Sequence, residues 1–291
     1  MVGAALLAFS ASFFSCKSTP DLAPVDAFEL LDGDAALYLT IPVQANQEFV
    51  TLAVQKVSGA SESDSKKIAE RLDMAYVAIG TNGEMQLSVS GKIPTTMASF
   101  ALTEKKGWKA SALEQQVCYT HSHTLYQLCL PSSSNAFLSH NIEPMIKRYN
   151  KIAYSSLPEN EKAENLSDSS SQLLSETLDE KSYAFLHSQI SSDIILYSPL
   201  PRAFLSSFLG TEVSTPIESV SAILSQDRGV LEEFNVRLTL TMNDARTVKA
   251  ATAILKTALF GVPAKVAQTG EKQITITDLP VSRKHLLSLI R

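Results

Sequence analysis

Short apolar runs bounded by turn residues predict strands at 36–41, 75–80, 84–90, 125–130, 194–198, 220–225, 233–241 and 273–278. Apolar residues spaced by three and four predict helices at 95–106 and 244–260. Asn82-Gly83 joins 75–80 to 84–90 as a hairpin, because both residues tolerate the positive φ of a tight turn. Residues 226–229, ending in Gly229, join 220–225 to 233–241 in the same way. Strands 36–41 and 194–198 stop at Pro42 and Pro199, and each leads into a helix.

These elements fall into two halves of one order, β-α-β-β-α-β, with trailing helices at 133–149 and 282–291. Leu130-Pro-Ser-Ser before Phe137-Leu-Ser reappears 149 residues later as Leu279-Pro-Val-Ser before Leu286-Leu-Ser. The order is that of the ferredoxin-like split motif. The predicted class is therefore α+β: two similar β-α-β-β-α-β (ferredoxin-like) modules whose antiparallel sheets are covered on one face by amphipathic helices. The pattern leaves open whether the two sheets join edge to edge or pack apart.

In helix 244–260, Val248, Ala251, Leu255, Ala258 and Leu259 form one stripe, capped by Asn243 or Asp244 and stopped by Gly261. That stripe is expected on the sheet, with Arg246, Lys249 and Lys256 in water. Two other segments carry a larger apolar face than their length needs. Around 202–209, Phe204, Leu205, Phe208 and Leu209 lie opposite Arg202, Ser206 and Ser207. At the C-terminus, Leu286, Leu287, Leu289 and Ile290 lie opposite Lys284 and Arg291. The protein core is one partner for such faces. A bilayer interface is the other, since a short aromatic- and Leu-rich face flanked by basic residues suits the headgroup boundary.

The N-terminus supplies a membrane context. Residues 4–14 are apolar and uncharged, and the run 3–14 is too short to span a bilayer. It reads as the hydrophobic region of an export signal, although Met1-Val2-Gly3 lacks the usual positive charge. Phe13-Phe14-Ser15-Cys16 follows, a small residue before a cysteine as in a relaxed lipobox. Cys16 is the expected acylation site and first mature residue. The expected organisation is a signal peptide at 1–15, a tether at 16–27, modules at 28–154 and 182–291, and an acidic, Ser-rich linker at 155–181.

Charge sharpens the same picture. Residues 245–291 hold eight basic residues against Glu271 and Asp278, a net +6, while residues 1–244 carry a net −11 within an overall −5. The asymmetry favours an anionic partner. An exported protein meets anionic lipid, and no aromatic–basic interleaving supports nucleic-acid binding. Three cysteines are too few for a disulfide scaffold, but Cys118 and Cys129 flank a predicted hairpin and are candidates to pair after export. No phosphate loop, dinucleotide fingerprint, nucleophile elbow or zinc-protease motif is present, so neither an enzyme nor a cofactor is expected. His121 and His123 read as a solvated hairpin tip.

The relaxed lipobox, the mature size, the α/β make-up and the amphipathic helices resemble the treponemal outer-membrane lipoproteins that insert amphipathic helices into the inner leaflet. The resemblance implies membrane association from the periplasmic side, with altered bilayer permeability. The expectation is thus a non-enzymatic lipoprotein that contacts anionic lipid through Phe204, Leu205, Phe208, Leu209, Leu286, Leu287, Leu289 and Ile290. The alternative is a periplasmic carrier closing over a lipid or other hydrophobic ligand. A homo-oligomer is compatible with both.

Overall fold

The computed structural model describes residues 22–95, 102–157, 171–188, 192–209, 212, 216–226 and 233–288. Cys16 and the signal segment lie outside them, as do Leu289, Ile290 and the side chains of Phe208 and Leu209.

All the described strands join one twelve-stranded sheet. In chain order they are β1 (Leu37–Pro42), β2 (Leu72–Ile79), β3 (Met85–Gly91), β4 (Trp108–Leu113), β5 (Gln116–His121), β6 (Gln127–Cys129), β7 (Asn135–Ser139), β8 (Ile194–Ser198), β9 (Ile217–Gln226), β10 (Glu233–Met242), β11 (Lys265–Gln268) and β12 (Gln273–Ser282). Their spatial order is β11-β12-β10-β9-β8-β1-β2-β3-β7-β6-β5-β4. Every pairing is antiparallel.

The halves meet edge to edge at β1 and β8, where Tyr38, Leu39 and Thr40 face Tyr197, Leu196 and Ile195. From that seam each half runs outward alike, β1-β2-β3-β7 on one side and β8-β9-β10-β12 on the other. The α+β class and the antiparallel, helix-covered sheets are as expected. The ferredoxin-like strand order is not found. A ferredoxin-like module needs two split β-α-β units, each with another strand between its parallel strands. Here the segment after β1 returns to its antiparallel neighbour β2, the one after β8 returns to β9, and β10 and β11 alone among the described strands, joined through the helix at Ala245–Ala258, flank another strand, β12.

The helices are α1 (Gln47–Ser58), α2 (Glu62–Ala69), α3 (Glu143–Ala153), α4 (Leu174–Thr177), α5 (Glu180–His187), α6 (Pro201–Leu209), α7 (Ala245–Ala258) and α8 (Arg283–Ser288). They cover both faces of the first half, not one. Alternation along β1 sends Tyr38 into a core with Phe28, Met145, Ile146 and Tyr149, while Ile41 enters a second core with Phe49, Val50 and Phe234. A third core of Leu240, Met242, Val248 and Ile274 lies under α7.

Predicted and observed elements differ in several places. The first trailing helix, predicted at 133–149, is β7 followed by α3. Ala136, Phe137 and Ser139 are needed between β3 and β6, and Pro144 fits only the first turn of a helix. Of the helix predicted at 95–106, a 3-10 turn at Glu104–Lys106 is described, and 96–101 lie outside the described residues. β4 was not predicted, because Trp108–Leu113 exposes both of its faces and lacks an apolar alternation.

The segments flanking the first half are part of its core. Leu22 and Val25, in the expected tether, pack against the first core, and the Ala23 amide donates to the Ala153 carbonyl at 2.9 Å. Within the expected linker, 158–170 lie outside the described residues, while Leu174 is fully buried. Arg148 clamps these pieces together. Its guanidinium pairs with Asp32 and donates to the carbonyls of Leu30 and Gln172, each at 2.9 Å. Glu29 adds a second clamp, accepting from the Ser175 amide at 3.1 Å and the Tyr183 hydroxyl at 2.7 Å.

Candidate membrane-contact site

α7 starts at Asp244, whose carboxylate accepts from the Arg246 amide at 2.9 Å. Val248 is fully buried, and Ala251 and Leu255 pack beside it in the third core. The helix therefore has its stripe on the sheet, and what lies off the stripe faces water. Ile254 does so with 67% of its surface exposed. Beyond the helix the chain turns through Gly261, at φ 88°, into Val262, Pro263 and the edge strand β11. Phe260 stands at this turn 91% exposed, with Val262 at 36%. Turns are usually polar, so an apolar turn with a bare phenyl ring is the feature to be explained.

Along the segment that carries it the charge is of one sign. Residues 245–270 contain Arg246, Lys249, Lys256 and Lys265 and no acidic residue. All four basic side chains are exposed. Lys265 reaches across to Asp278 at 3.0 Å and holds that carboxyl below the usual carboxylate range. The tip thus combines an exposed apolar wedge with a segment whose charged residues are all basic, at the β11 end of the sheet.

The residues expected from sequence are placed as follows. Phe204 and Leu205 are half-buried on α6, which packs against β9. Leu286 and Leu287 are half-buried against the second core. α8 is also tied to α1, through the Arg283–Glu48 ion pair and a 2.7 Å bond from the Lys56 ammonium to the Leu287 carbonyl. Its inner leucines thus have a protein partner in this state. Phe208 and Leu209 belong to α6 by backbone alone, and Leu289 and Ile290 fall outside the described residues. Phe260, Ile254 and Val262 were missed. The signal for them was present: Ile254 departs from the stripe of its own helix, and Leu259-Phe260-Gly261-Val262-Pro263 is an apolar run where a loop must fall.

No described helix is long and apolar enough to cross a membrane. His121 and His123 hold their ring centroids 5.8 Å apart, with Trp108 tilted against His121 at 4.9 Å. No metal-sized group of three His, Cys, Asp or Glu occurs among the described residues.

A sequence profile for the outer membrane-associated lipoprotein TP0453 matches residues 22–287. The chain belongs to this family. Three crystal forms of TP0453 share its fold. Form I aligns with a TM-score of 0.64 at 20% identity, over 92% of this chain and 97% of that one. Form III gives 0.65 at 19%, over 92% and 98%, and form IV 0.64 at 18%, over 92% and 97%. No curated protein matches the sequence. The family resemblance read from the relaxed lipobox and the amphipathic helices is borne out, and with it the reading of an envelope lipoprotein associated with the outer membrane.

Proposed function

We propose that this chain is a non-enzymatic lipoprotein, acyl-anchored at Cys16, that lies on the periplasmic leaflet of the outer membrane and presses apolar helix ends into it. The observation that carries the reading is Phe260, a phenyl ring 91% exposed just beyond a helix whose charged residues are all basic. Interfacial binding of this kind draws on buried apolar area and on attraction to anionic headgroups together. α6 and the last turns of α8 are the second line of contact, through Phe204, Leu205, Phe208, Leu209, Leu289 and Ile290. Leu286 and Leu287 join them once α8 leaves α1, and loosened packing in the leaflet is the route to altered permeability.

Two open pockets, of about 740 and 200 Å³, are lined by Asp32, Asp34, Asn141 and other polar groups, among them Lys147 and Arg148 in the larger and Gln86 in the smaller. Such linings suit polar ligands, so the hydrophobic-carrier reading draws no support from either.

The test is flotation of a Cys16→Ser protein with vesicles containing phosphatidylglycerol. Binding at low salt that weakens as salt rises is the expected result, and Phe204→Glu with Phe208→Glu reduces it. Absence of binding at low salt overturns the proposal. Mass spectrometry of the membrane-extracted protein checks the anchor, and an unmodified Cys16 ends that part of it.

A further inference from the structure

β4 and β5 attach to the rest of the sheet through β6, a strand of three residues. The β5–β6 ladder has only three paired positions, Thr120–Gln127, Tyr119–Leu128 and Cys118–Cys129. One of the three is thus a pair of cysteines set directly opposite each other. β4 is paired with β5 alone among the described strands and is exposed over Lys109–Ala112. The far end of the pair is held by Leu113 on the first core and by Asn150, which bonds Gln116 and the Glu114 carbonyl, each at 3.3 Å.

The geometry of the cysteine position follows from the ladder. Opposed residues of antiparallel strands alternate between hydrogen-bonded and non-hydrogen-bonded pairs. The His121 amide donates to the Tyr126 carbonyl at 2.9 Å, which marks 121/126 as a hydrogen-bonded position. Three steps along the strand, Cys118/Cys129 is a non-hydrogen-bonded one. The β4 side agrees, since the Ser122 amide donates to the Gly107 carbonyl at 2.8 Å, and the amide and carbonyl of Cys118 turn toward β4. Non-hydrogen-bonded pairs bring Cα atoms to about 4.5 Å, inside the range of roughly 4.4–6.8 Å that a disulfide spans. Both side chains lie in the first core, Cys118 at 2% exposure and Cys129 at 0%. The Cys129 thiol hydrogen-bonds the Cys118 sulfur, which draws the Cys118 thiol below its ordinary value and pushes Cys129 up.

We propose that Cys118 and Cys129 form an intramolecular disulfide in the envelope, and that this bond staples β4 and β5 to the sheet. The reaction is exchange with an incoming disulfide of a thiol oxidoreductase or a small-molecule disulfide. The Cys118 thiolate attacks one sulfur of that disulfide, breaking its S–S bond and releasing the other sulfur as a thiolate. Cys129, deprotonated, then attacks the Cys118 sulfur and expels the second thiolate. The two cysteines lose two electrons and two protons, and the incoming disulfide takes up both to become two thiols. Because the thiols are buried in the closed sheet, exchange takes place before β4–β6 close over the core.

The test uses protein extracted from the envelope without reductant and alkylated in denaturant. Both cysteines fall within one tryptic peptide, residues 110–147. The expected peptide is unalkylated, lighter by two hydrogen atoms than its reduced form, and takes two alkyl groups only after reduction. A doubly alkylated peptide without reduction, or a peptide linked to another chain, overturns the proposal. The stapling role is read by hydrogen exchange on a Cys118→Ala, Cys129→Ala protein. Closing a loop of this length predicts opening of β4 and β5 about a hundredfold more often than in the oxidised protein, with β1–β3 unchanged. Equal exchange in β4 and β5 would refute the staple.

Discussion

Replacing Phe260 by Ser separates membrane contact from folding. The ring is 91% exposed, so its removal leaves the core intact and changes folding stability by no more than about 0.5 kcal/mol. Inserted among acyl chains, a Phe side chain contributes about 2 kcal/mol. Losing it therefore weakens partitioning into vesicles about thirtyfold. The assay is flotation of the Cys16→Ser protein, with and without Phe260→Ser, across a range of phosphatidylglycerol vesicle concentrations at low salt. Val248→Ala is the control, since it lies on α7, the helix leading to Phe260, but is fully buried against the sheet. It is expected to cost about 1–2 kcal/mol in denaturant unfolding and to leave the partitioning of the folded protein unchanged. Equal partitioning of the parent and Phe260→Ser proteins, both folded, would show that the exposed ring does not meet lipid.

Lys256→Gln and Lys265→Gln each remove one exposed positive charge beside the tip, so each lowers affinity for anionic vesicles about fivefold at low salt, and the difference closes as salt rises. Arg148→Ala takes the guanidinium from Asp32, which keeps the Gln86 amide, and leaves two backbone carbonyls without this donor. A loss of about 3 kcal/mol in denaturant unfolding is expected, with 171–177 the first segment to lose exchange protection. Asp179 caps α5 by accepting from the Ser182 amide at 3.0 Å, and hydrogen bonds from Ser182 hold its carboxyl below the ordinary 3.8. A carboxyl lowered on folding contributes above its unfolded pKa and loses that contribution as pH falls through the folded value. Asp179→Ala thus costs about 1 kcal/mol at neutral pH, and its melting curve converges on the parent's as the medium becomes strongly acid.

Much of the fold was legible where local chemistry alone decides it. Asn82-Gly83 gave the β2–β3 turn, and the capped, Gly-terminated stretch after Asn243 gave α7. The strand order was not legible, because the element sequence β-α-β-β-α-β suits both an interleaved sheet and a sequential one. What separates them is which edges meet at β1 and β8, and no local signal carries that. β4 escaped notice for a related reason: a strand exposed on both faces has no need of apolar alternation. At the candidate site, the reading of α6 and α8 rested on apolar content, which serves a core and a bilayer equally. Phe260 is hidden in the pattern because the sequence carries the helix to residue 260, whereas α7 ends at Ala258 and leaves the ring on the turn.

The path from the seam to the tip crosses β8, β9, β10 and β12 before reaching β11, five inter-strand steps from β1 and so about 24 Å at the usual spacing. The N-terminal segment joins the core on the other side of that seam, through Leu22 and Val25. Under the proposed function, a molecule fastened by acyl chains near one half and wedged by a phenyl ring at the end of the other would be bivalent toward the bilayer. Its second attachment would then be made at the high effective concentration that the first imposes, so a wedge of only modest intrinsic affinity would stay engaged, and its release would leave the molecule still leashed and ready to re-engage.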